Sequence, residues 1–250
     1  MYPVIDSKSI ILPPFLFLHV RKSAGTSAKD VLSPYYVRLN ITKKNPPNFL
    51  QIDTTMWNAL LNTPKCNLGP YIFKRSLFAK KYLYKESWNN IYSFSFSRDP
   101  IDRVISMYYY LFVKLNNQPL TVLRELINNK RVLFSTSSKF DLFLDWIELI
   151  HVEETPHNIN NIFTTHTAPM AGDVCDADNN LLLSKIFRVE NFKNAIYEVY
   201  ETTNLSSDSL HFNDRKNVNN FRGSYYPNES QLRRIQKIYY LDFEIYENSN

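Results

Sequence analysis

The sequence predicts an α/β protein in which helices flank a parallel β-sheet. Three short apolar segments are each followed by a segment with helical spacing of its apolar residues, and this alternation is typical of βαβ units. The first of these segments, residues 15–20, is nearly continuously apolar, as expected for a strand that is buried in a parallel sheet. No break in composition divides the 250 residues, so we expect a single domain over residues 1–250.

The first predicted strand spans residues 15–20, and a helix should begin near Gly25 and end before Pro34. The loop between them and the start of the helix carry Lys22, Ser23, Ala24, Gly25, Thr26 and Ser27. Backbone N–H groups and the positive end of a helix converge at such a junction, so this loop can bind a phosphate. A simple turn that contains one glycine is the alternative interpretation.

The second predicted strand spans residues 90–96 and leads directly into a helix over residues 101–115. Asp99 is a good N-cap residue for this helix. Pro100 suits its first position, where a backbone N–H is not required.

Arg98 would lie at the carboxyl end of the second strand, where open α/β sheets bind their ligands. Ser106 follows two helical turns later, and an arginine and a hydroxyl can share one phosphate through charge-assisted hydrogen bonds. The alternative is that Arg98 pairs with Asp99 or Asp102 at the surface.

The remaining elements are a third strand and several helices with one amphipathic face. The strand is predicted at residues 185–189, the helices at 119–130, 139–150, 192–203 and 228–240, and a long loop at 211–226.

The composition excludes several classes of protein. The net charge of +5 fits an anionic ligand, but no dense cluster of lysine and arginine predicts a nucleic-acid surface. Cys66 and Cys175 lie far apart and outside any metal-ligand spacing, so we expect neither a disulfide framework nor a metal site. The first residues lack a secretory signal pattern and no apolar run reaches the length of a membrane span, so we expect a cytoplasmic protein without a membrane anchor.

Together, the two motifs resemble those of sulfotransferases that use 3'-phosphoadenosine 5'-phosphosulfate (PAPS), especially the carbohydrate enzymes of the heparan and chondroitin type. That branch shares a Pro-Lys-x-Ala-Gly-Thr-Ser-like loop, here residues 21–27. It also shares the pattern Arg-Asp-Pro-x-x-Arg-x-x-Ser-x-Tyr-Tyr, which is complete here from Arg98 to Tyr109. Weaker similarities lie at residues 187–192 and in the late segment from Asn213 to Asp242.

This resemblance implies a P-loop-like sulfotransferase fold and transfer of a sulfuryl group from PAPS to a hydroxyl or amine. The acceptor would be a small molecule or a saccharide, the product nucleotide 3',5'-adenosine bisphosphate (PAP), and no metal is required. The loop residues Lys22 to Ser27 would wrap the 5'-phosphosulfate, with Lys22 also acting in catalysis. Arg98 and Ser106 would bind the 3'-phosphate, and Arg215 and Lys216 would close over the nucleotide.

The general base of the reaction is less clearly predicted. Many relatives carry a histidine between the two motifs, whereas residues 67–96 contain none and Tyr71–Arg75 lie near that place. His166 lies in a segment that resembles a histidine-containing segment of the relatives, and it is the candidate base; a structural histidine is the alternative. His19 is expected to be a core or supporting residue, and a carboxylate such as Glu86 is also open as the base.

Two other functions stay open from the residues alone. A nucleotide-dependent, kinase-like phosphotransferase could use the same phosphate-binding loop, although it would require an acidic residue to hold a metal. A non-catalytic module that binds anions or nucleic acid would leave the spacing of Arg98 and Ser106 unexplained.

Overall fold

The computed structural model describes residues 13–35, 52–63, 68–114, 139–151, 161–208, 210–212 and 225–250. Within these residues, three β-strands lie at Leu16–Leu18 (β1), Ser93–Ser97 (β2) and Lys185–Arg188 (β3). Ten α-helices lie at Gly25–Val31 (α1), Trp57–Leu61 (α2), Arg75–Phe78 (α3), Pro100–Tyr108 (α4), Lys139–His151 (α5), Asn161–Thr167 (α6), Met170–Val174 (α7), Phe192–Thr202 (α8), Glu229–Ile238 (α9) and Tyr240–Glu247 (α10). Two π-helices, Ala79–Tyr84 and Tyr109–Lys114, continue α3 and α4.

The three strands form one parallel sheet in the order β1-β2-β3. Leu18 lies opposite Ser95, and Ser97 lies opposite Arg188. The carboxyl ends of all three strands therefore share one edge of the sheet. This arrangement confirms the predicted α/β fold with a parallel sheet flanked by helices.

The described residues within Met1–Ser97, Met170–Val218 and Asn248–Asn250 form one compact unit, which contains the sheet. Its core is built on phenylalanines that project from one face of the strands towards α1 and α8. The rings of Phe17 and Phe94 lie 5.3 Å apart, and those of Phe96 and Phe187 lie 5.9 Å apart. Such aromatic pairs add about 0.5–1.5 kcal/mol each beyond the area they bury.

The outer edge of β1 is covered by the side chains of two asparagines, one turn apart on α2. Asn58 accepts a hydrogen bond from the Phe17 N–H at 2.8 Å and donates one to the Phe15 carbonyl at 2.7 Å. Asn62 accepts from the His19 N–H at 2.6 Å and donates to the Phe17 carbonyl at 2.6 Å. Two amide side chains thus satisfy the backbone groups that a fourth strand would otherwise pair.

The residues at the end of the chain pair with β3. The Arg188 N–H donates to the Asn250 carbonyl at 2.6 Å, and the Asn250 N–H donates to the Ile186 carbonyl at 3.2 Å. The hydroxyl of Ser249 lies 2.7 Å from that of Ser97, the last residue of β2. These contacts belong to the same compact unit as the sheet.

The second compact unit consists of described residues within Arg98–Pro169 and Asn219–Glu247 and is helical. Its core is apolar and comes from α4, α5, α6 and α9, with Met107, Trp146, Phe163 and Ile235 fully buried. Arg234 of α9 also contacts carboxylates along α5, which joins these two helices through charge as well as packing.

Several predicted boundaries differ from the observed ones. β1 is shorter than residues 15–20, because its pairing with β2 covers only Leu16–Leu18. The single helix predicted at residues 228–240 is two helices, which meet at Tyr239. The helix predicted at 119–130 lies outside the described residues.

The helices between residues 54 and 90 and those at residues 161–174 were not predicted, since each is too short to show a clear helical period. The prediction of a single domain stays a prediction. Across the described ranges, no helix is long and apolar enough to cross a membrane.

We expect Asn62→Ala to lower the free energy of unfolding by about 2–4 kcal/mol, because it leaves the buried His19 N–H and Phe17 carbonyl without partners. Urea unfolding measures the change. Asn89, an exposed residue, serves as the control, and its replacement by alanine should change stability by less than about 0.5 kcal/mol. An Asn62→Ala protein as stable as the control variant would show that these hydrogen bonds do not hold β1.

Candidate functional site

The loop that follows β1 has a backbone conformation that side chains other than glycine rarely adopt. Lys22 and Ala24 have φ angles of 65° and 52°, in the left-handed region. A left-handed backbone conformation costs about 1–2 kcal/mol for each residue that has a Cβ atom. Strain of this kind persists only where the surrounding structure enforces it, and it concentrates at functional sites.

The start of α1 directs backbone donors away from the helix. The first hydrogen bond within this helix runs from the Ala28 N–H to the Ala24 carbonyl, at 3.0 Å. The N–H groups of Gly25, Thr26 and Ser27 precede it and have no acceptor inside the helix by geometry. They point towards the same loop that carries Lys22.

Ser23 carries a hydroxyl that suggests a ligand. The residue is 1% exposed, and its Oγ atom has no hydrogen-bond partner among the residues that the structure describes. A buried hydroxyl without a partner is costly and uncommon in native proteins. A bound anionic oxygen at this loop would accept its hydrogen bond, so the donor set of the loop fits a phosphate or sulfuryl group.

Gly25 is required by a close contact with His19. A Cβ atom at position 25 would lie 1.6 Å from Cδ2 of the His19 ring, which is shorter than any non-bonded contact. The neighbour that excludes a side chain at this position is the imidazole of His19. His19 is 8% exposed, in agreement with its predicted place in the core or in support of the loop.

Arg75 holds the backbone of His19 through its carbonyl. Its Nη2 atom donates to the His19 carbonyl at 3.1 Å, and its Nε and Nη2 atoms donate to the two carboxylate oxygens of Asp173 at 2.8 and 2.6 Å. Both side chains are buried, and each ionic group satisfies the other. The residue before the loop is therefore held by Asn62 at its N–H and by Arg75 at its carbonyl. The sequence gives no signal of this network, because its members are far apart in the chain.

The segment after β2 has the predicted local structure. The carboxylate of Asp99 accepts a hydrogen bond from the Asp102 N–H at 2.9 Å, and Pro100 is the first residue of α4, so both predictions are confirmed. Arg98 lies 3.4 Å from Asp102, whose side chain is half exposed. A surface pair of this kind contributes about 0–1 kcal/mol, so a phosphate could readily replace the carboxylate. Ser106 is half-buried on the same helix.

The second arginine of this motif, Arg103, has a structural role that the sequence analysis did not assign. It is 2% exposed and donates to the carboxylate of Asp242 at 2.5 Å and to the Ala168 carbonyl at 2.6 Å. One guanidinium thus joins α4, α10 and the end of α6. In the sequence, the only indication of this role is that the motif contains a second arginine. The sequence does not indicate which residues Arg103 contacts.

His166 lies near the end of α6, in the helical unit. Its Nδ1 atom lies 2.7 Å from the Ile162 carbonyl oxygen. Because a carbonyl can only accept a hydrogen bond, Nδ1 is the donor. The His166 ring stacks on that of Tyr110, with 4.7 Å between the ring centres. This hydrogen bond selects the tautomer in which Nε2 carries the lone pair. The next residue, Thr167, is held by Tyr239, whose phenol donates to its carbonyl at 2.6 Å. The role of His166 as general base stays a prediction.

The predicted site residues fall into three groups. Lys22 to Ser27 lie together after β1 in the first unit, while Arg98, Ser106 and His166 lie in the second. Arg215 and Lys216 lie outside the described residues. The binding of one nucleotide by Lys22 to Ser27 together with Arg98 and Ser106 stays a prediction. Within the described ranges, no group of three or more histidine, cysteine, aspartate or glutamate side chains could hold a metal ion.

Comparison with known proteins identifies a family. A family model described as "Sulfotransferase family" matches residues 13–248, which is nearly the whole chain and includes both motifs. No curated protein and no solved structure matches the chain.

We expect Gly25→Ala to destabilise the fold by about 1–3 kcal/mol, because the new methyl group overlaps the His19 ring. The test is a double-mutant cycle with His19→Ala, with the free energy of unfolding measured for all four proteins. If the contact is the cause, Gly25→Ala should cost less in the His19→Ala background. Equal costs in the two backgrounds would show that the glycine is needed for another reason.

Proposed function

The chain belongs to the sulfotransferase family and is therefore an enzyme of sulfuryl transfer, and we propose that its donor is PAPS and its acceptor a hydroxyl or amine of a small molecule or saccharide. The observation that carries the proposal is the buried hydroxyl of Ser23, which has no partner among the described residues and lies in the strained turn between Lys22 and Ala24. The family match favours sulfuryl transfer over a kinase-like phosphotransferase and over a non-catalytic binding module.

In the proposed complex, the loop after β1 binds the 5'-phosphosulfate of the donor. The N–H groups of Gly25 and Thr26 and the hydroxyl of Ser23 would donate to its oxygens. Arg98 and Ser106 would bind the 3'-phosphate. Two features support this division: β1 and β2 are adjacent parallel strands, and Arg98 follows the last residue of β2 directly.

Lys22 has the role of stabilising charge in the proposed reaction. Sulfuryl transfer is an in-line displacement that requires alignment and stabilisation of negative charge as the nucleotide leaves. A lysine ammonium next to the bridging oxygen would meet that charge in the transition state more than in the ground state.

We expect Arg98→Ala to weaken binding of PAP by about 1.5–3 kcal/mol, the usual contribution of a hydrogen-bonded charge, which is roughly 10- to 100-fold in Kd. Isothermal titration calorimetry measures it. Arg233→Ala is the matched control, since Arg233 also pairs with a carboxylate four residues away, Glu229, at the surface. Lys22→Ala should mainly slow turnover of PAPS. Wild-type protein that does not bind PAP, or an Arg98→Ala protein that binds it as tightly as the control, would contradict the proposal.

Ser23→Ala separates binding from folding. Removing a buried hydroxyl that has no protein partner should leave the free energy of unfolding unchanged or raise it. The same change should weaken PAPS binding, because the loop loses a donor to the phosphosulfate. Thermal unfolding and PAPS binding are measured on the same preparation. A variant that loses stability while it keeps full PAPS affinity would show that Ser23 has a structural partner.

A further inference from the structure

Two tyrosines and a lysine form a polar cluster in the first unit, outside the loop of Lys22 to Ser27. The phenol oxygens of Tyr71 and Tyr82 lie 3.1 Å apart, at hydrogen-bond distance, and their rings meet edge-on at 5.3 Å. The ammonium of Lys81 lies 5.5 Å from the centre of the Tyr82 ring, and its charge also acts on the phenol of Tyr71. Both tyrosines are half-buried, so their oxygens can meet a second molecule.

An irregular helix brings these side chains together. Tyr71 ends a short 3₁₀ helix, Gly69–Tyr71, while Lys81 and Tyr82 lie on the π-helix Ala79–Tyr84 that continues α3. π-Helical turns are rare and are found frequently at functional sites. In this chain the wider turn supplies both the hydrogen-bond donor and the cation that face Tyr71.

The surroundings of Tyr71 favour its ionised form. The hydrogen bond with Tyr82 is the largest cause that lowers the pKa of Tyr71, and the hydrogen bond and charge of Lys81 and the charge of Lys74 lower it further, against the effect of burial. The same hydrogen bond raises the pKa of Tyr82. The charge of Lys74 acts on Tyr71 and is not among the causes at Tyr82, so it favours Tyr71 as the phenol that ionises first, with Tyr82 donating the shared hydrogen bond to its phenolate.

The turn that carries Tyr71 is connected through Arg75 to the residues that precede the loop of Lys22 to Ser27. Arg75 begins α3 four residues after Tyr71, and its guanidinium donates to the carbonyl of His19, three residues before Lys22. The bidentate ion pair with Asp173 holds this guanidinium in place. Residues 67–96, which form this part of the chain, contain no histidine that could take the role of a base.

We propose that Tyr71 is the general base for the acceptor, a proposal that rests on the sulfuryl transfer proposed above. The phenolate oxygen of Tyr71 takes the proton of the acceptor hydroxyl while the acceptor oxygen forms its bond to sulfur. The bond between sulfur and the bridging oxygen breaks, and its electron pair leaves with the nucleotide, where Lys22 meets the charge. Tyr71 later returns its proton to solvent, so the step requires no further reactant.

The experiment compares wild type with Tyr71→Phe, which removes only the reacting oxygen. Turnover is measured as PAP release from PAPS with two probe acceptors of similar size: phenol, which is protonated at neutral pH, and 4-nitrophenol, which is largely ionised at slightly alkaline pH. If the enzyme accepts neither phenol nor 4-nitrophenol, PAP release is measured with water as the acceptor. A general base contributes about 10²- to 10⁴-fold. We expect a loss of about 10²-fold or more with phenol or water and a much smaller loss with 4-nitrophenol.

The pH dependence gives a second readout, which a purely structural role would not move. Turnover should rise with pH as Tyr71 ionises. Lys81→Met removes a group that lowers this pKa, so the acid limb should move to higher pH, and Tyr82→Phe should move it in the same direction. Titration of protein labelled with ¹³C at tyrosine Cζ follows the same ionisation without an acceptor, with Tyr71→Phe identifying the resonance.

The outcomes separate the inference from the function on which it rests. Wild type that neither binds PAP nor releases it from PAPS would overturn both. Normal PAP binding, with turnover that survives Tyr71→Phe but not His166→Gln, would overturn the role of Tyr71 alone. Equal losses with phenol and 4-nitrophenol, or a Tyr71 resonance that titrates no earlier than N-acetyltyrosinamide, would also overturn it.

Discussion

The structure depends on how the short strand β1 is held at both edges. On one edge it pairs with β2, and on the other the side-chain amides of Asn58 and Asn62 satisfy its backbone. A buried strand edge without partners would cost several hydrogen bonds, and an exposed one would invite pairing with another chain. Because side chains of α2 replace a fourth strand, the sheet ends at β1 and the helix is set in register with it.

The contacts that hold β1 also hold the loop that carries Lys22, and His19 connects the two. Asn62 accepts a hydrogen bond from the His19 N–H, and Arg75 donates one to the His19 carbonyl. The ring of His19 lies against Gly25. These contacts enforce a turn whose residues 22 and 24 would not adopt left-handed backbone angles by preference. A binding loop that is shaped before its ligand arrives does not have to be ordered at the time of binding, which favours both affinity and transition-state stabilisation.

The sequence predicted the features that depend on residues close to one another in the chain. The apolar run before Lys22, the Asp99 cap and Pro100 are local signals, and they led to the parallel sheet, the start of α4 and the two motifs. The sequence could not predict contacts that depend on distant partners. Arg75 meets Asp173, Arg103 meets Asp242, and Tyr71 meets Tyr82 across a π-helical turn that has no propensity signature. His19 was expected to support the site, but only the structure shows that its ring is the reason for Gly25.

Each compact unit is assembled from separate pieces of the chain, and this has a consequence for biosynthesis. β1, β2 and β3 belong to one unit, and Asn250 extends the pairing of β3, so this unit draws on three separate parts of the sequence. Ribosomes release a chain from its N-terminus onwards. The nascent chain consequently holds an incomplete sheet, with β2 exposed along one side, throughout the synthesis of residues 98–184. Chaperone demand should be greatest during that interval, and no C-terminally shortened fragment retains all of the pairing partners of β3.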